Sequence, residues 1–322
     1  MGGLTGAGFS TDATNVIMWK CSHNLKQMNS GFKQTQPARS YNISVNHRRK
    51  ILWSTRGHPS RWNDKTLAHL DEFLMSLREG KILQDVTFEL LSLGEGKKII
   101  KTLYRGAWGL SDNGYHRWSC TQAPAKVNGL ITEHRLSDWI ESFRKDVECT
   151  FGILKGRWRV LQTGVRLESL ESVDMLWLTC CALHNFLLEE DGLAAQWSDG
   201  VAVKYKSSDF LGDIGQNDPE FLNDNLPFAV GRMSEKEIRT FGSREHEQEA
   251  IAEQEASQRL LLYPEAELNE LLIEEEHDDV VIDEGGAIVV NSLSYNNFRS
   301  RLVQHFDILH RQNKIKWPKK DD

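Results

Sequence analysis

Hydrophobic and polar positions along the first 190 residues predict strands and helices that follow one another. Small, β-branched and apolar residues over 9–19 indicate a strand near the start of the chain. Two β-rich runs within 39–55, separated by a short polar break, indicate a hairpin. A short apolar run over 107–110 leads into the turn-forming residues 112–114 and indicates another strand.

Apolar residues at steps of three and four predict the helices of the same region. Asn63 or Asp64 is placed to cap a helix, and its apolar positions are Leu67, Leu70, Phe73, Leu74 and Leu77. An extended stretch follows over 85–93. The clearest helix covers 136–154 and is expected to end at Gly156, and a further helix covers 170–190. The pattern predicts an α/β fold with helices on a sheet.

The character of the chain changes after residue 190, which suggests three regions. Residues 1–190 are predicted to form the main domain. Residues 191–290 are rich in Gly, Asp and Ser and then strongly acidic, so we expect a loop-rich, poorly ordered acidic linker. Residues 291–322 return to an amphipathic helical pattern over 294–312 and end in a basic tail.

Composition favours a protein of a reducing, intracellular compartment. The number of cysteines is five, which is odd, and the adjacent Cys180 and Cys181 cannot form an ordinary structural bridge with each other. Because no second pair of metal ligands accompanies these two cysteines and His184, we interpret all three as core residues and not as a zinc site. No signal peptide is visible, and the longest apolar run, 175–183, is too short to cross a membrane.

The net charge of −7 conceals two halves of opposite sign. Residues 1–166 contain 25 Lys and Arg against 14 Asp and Glu, whereas the acids are concentrated in the remainder. A basic half suits a polyanionic partner such as nucleic acid, since phosphate neutralisation supplies most non-specific affinity. A solvated basic surface balanced by the acidic half is the alternative.

Three acids lie at notable positions in three separate predicted elements. Asp12 lies inside a predicted strand, where Asp is rare, Asp112 lies where a strand meets its turn, and Glu148 lies in the best helix. Carboxylates from separate elements can hold paired Mg²⁺ ions for phosphodiester cleavage. Asp112 and Glu148 are separated by 35 residues, a spacing known from nucleases and integrases of the RNase H-like type. Taken singly, a strand-end turn, an Asp-Asn-Gly turn and an ion pair with Arg144 would also explain the three acids.

The residues around these acids resemble Harbinger-type (PIF/Harbinger) transposases, in particular the plant transposon protein branch of the DDE superfamily endonucleases. The resemblance rests on Asp12–Val16, Ser111–Tyr115 and Arg144–Lys155, and extends through 41–49, 57–64, 183–186 and 298–306. The segment around Glu148 is the most specific. The resemblance implies an RNase H-like mixed sheet flanked by helices, with Asp12, Asp112 and Glu148 as the catalytic, metal-holding triad. It also implies hydrolysis at a transposon end with Mg²⁺ or Mn²⁺, as two ions, followed by strand transfer to target DNA.

Two departures from the family pattern favour a second hypothesis. Asn15 stands where family members usually have His, so a supporting role there would lack a titratable group. Only eleven residues precede Asp12, whereas the family carries a helical region for recognition of DNA ends, so we expect an N-terminal truncation. The alternative is therefore an inactive or domesticated relic that binds DNA or protein. A separate DNA-binding protein is a conceivable partner, and a nuclear location follows from the resemblance.

Several further residues are candidates for supporting the site or contacting DNA. Asp64 is either a helix cap or a neighbour of the metals. The candidate DNA-contacting residues are Arg48, Arg49, Lys50, Arg144, Lys155, Arg157 and Arg159. The alternatives are a charged hairpin turn for the first three and, for the last three, a helix end that favours cations.

Overall fold

The computed structural model describes residues 3–30, 36–125, 131–190 and 280–315. The strands in these parts are β1 Ala7–Ile17, β2 Ala38–Val45, β3 Ile51–Ser54, β4 His58–Pro59, β5 Thr87–Leu93, β6 Ile99–Arg105, β7 Trp108–Leu110, β8 Thr121–Gln122 and β9 Ile288–Val289. The α-helices there are α1 His23–Asn29, α2 Asp64–Leu70, α3 Glu72–Arg78, α4 Ile131–Arg157, α5 Arg159–Thr163, α6 Leu170–Glu190 and α7 Tyr295–Arg311. The predicted acidic linker covers residues 191–290, and its part from 191 to 279 lies outside the described residues.

A mixed sheet organises the first part of the chain. Its strand order is β3-β2-β1-β7-β8, and β4 pairs with β2 beside this path. Strand β2 runs antiparallel to both β3 and β1, whereas β7 runs parallel to β1, and β8 runs parallel to β7. The predicted first strand, hairpin and strand at 107–110 are confirmed, as is an α/β fold with a mixed sheet flanked by helices.

Helix α4 buries the apolar stripe that its sequence predicted, and α6 buries Val173 and Cys180 of its stripe, whereas Leu183, predicted to lie inside, is exposed. Leu136, Ile140, Val147 and Leu154 of α4 are each fully buried, and α4 contacts β1 and β2. The helix begins five residues before the predicted start and continues through Gly156 to Arg157, so the expected stop at that glycine is wrong. A glycine within the last turn weakens a helix only modestly, and helix ends are intrinsically variable.

The helix predicted from the apolar residues between 67 and 77 is in fact two helices. Asp71 ends α2 and begins α3, and its carboxylate accepts hydrogen bonds from the amides of Phe73 and Leu74. An aspartate that caps a new helix interrupts the old one, although the apolar spacing passes through it without a break. The prediction of a cap at Asn63 is confirmed, since its side chain accepts from the Thr66 amide at 2.8 Å.

A second sheet and α7 enlarge the core beyond the first 190 residues. Strand β5 pairs with β6, which pairs with β9. Phe298 and Phe306 of the predicted C-terminal helix pack with Trp108 and Trp139, so α7 shares a hydrophobic cluster with β7 and α4. All five cysteines are free thiols. No helix in the described ranges is long and apolar enough to span a membrane.

Candidate active site

Two of the predicted acids are brought together by the register of the sheet. In the parallel pair of β1 and β7, Ser10 lies opposite Leu110. Asp12 and Asp112 each follow two residues later, Asp12 within β1 and Asp112 just beyond the end of β7. Because paired strands lie about 5 Å apart, this register brings the two residues to neighbouring positions, and the charge of Asp112 accordingly acts on Asp12.

The turn after β7 holds Asp112 beside a third acid, Asp64. The Gly114 amide donates to Oδ1 of Asp112. A β-carbon added to Gly114 would lie 2.6 Å from Oδ2 of Asp64 and 3.0 Å from Oδ1 of Asp112. Both carboxylates therefore flank Gly114, and any residue with a β-carbon at this position would crowd them. Asp64 opens α2, so the cap at Asn63 helps to place it.

The electrostatics of Asp12 show that these carboxylates share one site. Burial raises the pKa of Asp12 from 3.8 to about 6, and the charges of Asp112 and Asp64 act in the same direction. The Ala13 amide, 2.8 Å from Oδ1 of Asp12, and the charge of Arg144 oppose that rise without cancelling it. A positive charge next to Asp12 would therefore favour its ionised form.

Glu148 reaches this site through an arginine. Its Oε1 lies 2.8 Å from Nη2 of Arg144, whose Nη1 lies 3.5 Å from Oδ2 of Asp12. Asp12, on β1, and Glu148, on α4, therefore face the same guanidinium. Within the described residues, no three His, Cys, Asp or Glu side chains stand together as a ready-made metal cage. Asp112 and Asp64 thus flank Gly114, and a cationic side chain links Glu148 to Asp12, while the expected convergence of Asp12, Asp112 and Glu148 on one metal stays a prediction.

One protein-family model matches the part of the chain that carries these acids. The model of the DDE superfamily endonuclease family matches residues 11–185, which is more than half of the chain. The chain belongs to this family. No curated protein and no solved structure gives a significant match to the chain. The matched range contains Asp12, Asp64, Asp112 and Glu148 as well as the whole mixed sheet apart from the first residues of β1.

The acids of this DDE endonuclease suit the divalent ions that the family generally uses. Carboxylate oxygens are the hard ligands that Mg²⁺ and Mn²⁺ prefer. The guanidinium of Arg144 already lies between Asp12 and Glu148 as a positive charge. The donor set and this substitute cation both indicate that the site is built to bind positive charge.

A buried polar network beneath the acids was missed by the sequence analysis. The Tyr115 hydroxyl donates to Oδ1 of Asn42, and Nδ2 of Asn42 donates to Oδ2 of Asp71, both at 2.5 Å. Burial raises the pKa of Tyr115, and the nearby charges, Asp12 first, raise it further. Burial likewise raises the pKa of Asp71 to about 6. Asn42 and Tyr115 lie in family-like segments, but nothing in one sequence shows that they meet.

Asn15 lies apart from the acids. Side chains alternate along a strand, so Asn15, three residues after Asp12, points to the opposite face of β1. Its side-chain carbonyl accepts a hydrogen bond from the Ser40 hydroxyl on β2. The contact that the structure shows for Asn15 is thus within the sheet, and a supporting role in chemistry stays a prediction.

The predicted DNA-contacting residues differ in how accessible they are. Arg48 and Arg159 are exposed. Nζ of Lys155 donates to the Thr14 hydroxyl at 2.8 Å, and burial lowers its pKa. Lys50 forms an ion pair with Glu189, Arg49 lies 3.7 Å from Asp146, Arg157 is half-buried, and Arg144 is buried among acids. Contact with DNA stays a prediction for all seven residues, and Arg48 and Arg159 are the most available for it.

Proposed function

We propose that this chain is a transposase-type DNA endonuclease that depends on divalent metal ions, of the Harbinger-type branch. The observation that carries the proposal is the parallel pairing of β1 with β7, which places Ser10 opposite Leu110, two residues before Asp12 and Asp112, inside the range that the family model matches. Glu148 is proposed as the third ligand and Asp64 as the acid that supports Asp112. Mg²⁺ or Mn²⁺, as two ions, is the proposed cofactor.

The proposed chemistry needs no nucleophilic side chain. Paired ions would activate a water molecule and stabilise the leaving oxygen of the phosphodiester, and in strand transfer a 3′-hydroxyl takes the place of the water. The protein's contribution is to hold its carboxylates in fixed positions. The sheet register and the Gly114 turn fix Asp112, and the Ala13 amide supports one oxygen of Asp12. Because the pKa of Asp12 is about 6 without metal, metal binding and cleavage should weaken below that pH.

DNA is the proposed substrate, and the basic character of residues 1–166 supports it. Arg48, in the turn between β2 and β3, and Arg159, just after the helix that carries Glu148, are the exposed candidates for backbone contacts. A nuclear location and a separate DNA-binding partner protein belong to the same proposal.

A plasmid-nicking assay with the full chain and Mn²⁺ or Mg²⁺ tests this function. Asp112→Asn and Glu148→Gln are each expected to reduce cleavage by at least about 100-fold, because each removes a metal ligand. Glu168→Gln is the matched control, since it also neutralises one acid but concerns an exposed residue paired with Lys20. If wild type and both active-site variants are equally inert while DNA binding persists, the enzyme proposal fails and the inactive-relic hypothesis replaces it.

A further inference from the structure

Arg144 occupies an unusual position for a basic residue of a nucleic-acid enzyme. Its side chain is only 10% exposed and is surrounded by acids from two elements. Its Nη2 lies 2.8 Å from Glu148 and 2.9 Å from Glu141, and its Nη1 lies 3.5 Å from Asp12. The guanidinium is thus directed into the acidic site and away from the outer surface where DNA would first make contact.

The helix explains why these groups meet. Residues three and four apart share one face of a helix, so Glu141, Arg144 and Glu148 form a single row on α4. The Ser10 hydroxyl donates to the Phe143 carbonyl at 3.3 Å, which keeps this row against β1 and Asp12. The guanidinium therefore fills the space between Asp12 and Glu148, and a metal ion held by both acids would need that space.

The contacts with Glu141 differ from those with the other two acids. Nε of Arg144 lies 3.2 Å from Oε2 of Glu141, and Nη2 lies 2.9 Å from Oε1. Two parallel bonds of this kind form the two-pronged pairing that arginine and carboxylates prefer. Glu141 can therefore hold the guanidinium after its bonds to Asp12 and Glu148 have been lost.

The charge of Arg144 is secured by the same groups. Although burial opposes it, Glu141, followed by Glu148 and Asp12, raises the pKa of Arg144 above its ordinary value. The side chain consequently leaves the metal position by moving and not by losing its proton.

We propose that Arg144 is an internal counter-ion that competes with the catalytic metal for Asp12 and Glu148 and withdraws onto Glu141 when the metal binds. This inference rests on the proposed function. It makes Arg144 and Glu141 positioning residues that set metal affinity. In the metal-free protein Arg144 keeps the acids from repelling each other, and on metal entry it is displaced.

Mn²⁺ binding to the full chain, measured by calorimetry or by electron paramagnetic resonance without DNA, tests the proposal independently of cleavage. Arg144→Gln is expected to tighten Mn²⁺ binding by about tenfold or more, because the competing charge is gone. Glu141→Gln is expected to weaken binding by about threefold or more, because Arg144 then has only the metal-holding acids as partners. Lys145→Gln is the matched control, being the exposed neighbour on the same helix, and should change affinity by less than about twofold.

The double variant Arg144→Gln with Glu141→Gln separates this mechanism from a general loss of charge. If Glu141 acts through Arg144, its substitution should have little further effect once the arginine is gone. An equal effect of Glu141→Gln in both backgrounds, or unchanged or weaker binding by Arg144→Gln, would overturn the proposal. If Arg144→Gln does not fold, Arg144→Met, which also removes the charge and keeps an unbranched side chain of similar length, takes its place and must also bind Mn²⁺ more tightly.

The two proposals fail in different ways. Absence of Mn²⁺ binding in the wild type and all variants would contradict the metal-dependent function and with it the role of Arg144. Binding by the wild type that is lost in Asp112→Asn, together with no gain in Arg144→Gln, would leave the function standing and remove only the counter-ion.

Discussion

Replacing Asp12 by asparagine should stabilise the metal-free protein at neutral pH while abolishing its activity. The reason is the cost of holding this carboxylate ionised inside the site. Burial, Asp112 and Asp64 together raise its pKa from 3.8 to about 6, even with Arg144 and the Ala13 amide acting against them. Asparagine has nearly the same shape, and its carbonyl can still accept from the Ala13 amide.

The magnitude and the pH window follow from that shift. A carboxyl whose folded pKa is raised keeps its proton longer in the folded state, so stability falls as pH rises from about 4 to about 6. A shift of roughly two units corresponds to about 3 kcal/mol at pH 7.5. Asp12→Asn should recover up to that amount, or a melting temperature higher by roughly 5–10 °C. Below about pH 4 the gain should vanish, because the wild-type carboxyl is then protonated in both states.

Urea unfolding in EDTA at pH 4 and at pH 7.5 measures this effect, with Glu168→Gln as an exposed control expected to change stability by less than about 0.5 kcal/mol. Mn²⁺ should stabilise the wild type and have little effect on Asp12→Asn. A loss of stability at pH 7.5, or an equal gain at both pH values, would refute the reasoning that the ionised carboxylate is held at a cost.

Three further changes probe the surroundings of the site. Gly114→Ala should leave the fold intact but weaken Mn²⁺ binding and cleavage by about tenfold or more, since the new carbon meets two carboxylates; unchanged affinity in calorimetry would contradict this. Asn63→Ala should cost about 1 kcal/mol in urea unfolding, and Asn63→Ser should restore most of it, because the cap of α2 is lost and then regained. Arg39→Met should cost about 3–5 kcal/mol by the same measurement, because it strands the buried Asp174 that now lies 2.7 Å from the guanidinium. Full stability of that variant would show that the buried pair contributes little.

Local patterns were sufficient to predict the elements that carry the acids. The strand around Asp12 and the stripe of α4 each bury an apolar face, and such faces repeat at a fixed period in the sequence. Strand β6 has no such signal, because Ile99 and Ile100 remain exposed while only Tyr104 is buried. Its place is defined by antiparallel pairing with β5, which directly precedes it, and by parallel pairing with β9, which lies far later in the chain.

The composition of the site could be predicted better than its arrangement. Sequence motifs singled out Asp12, Asp112 and Glu148. For Asp64 the sequence left two roles open, a helix cap and a neighbour of the metals. Only the packing of α2 against the turn after β7 shows that Asp64 and Asp112 flank one glycine. From the sequence, Arg144 was predicted to contact DNA because it is basic. Its orientation depends on the contact of α4 with β1, which a single sequence does not encode locally.

The two sides of the site differ in how firmly they are held, and this difference gives Arg144 its importance. Asp12 projects from β1, and Asp112 projects from the turn directly after the strand that pairs with β1; the side chain of Asp12 is only 21% exposed. Glu148 lies on a helix, its side chain is 46% exposed, and it is tied to the strands through a side chain that can rotate. A cation that enters the site therefore finds two acids held in place and must displace Arg144 in order to bind the third, Glu148. Metal affinity in this family member should accordingly depend as much on where the guanidinium can go as on the acids themselves.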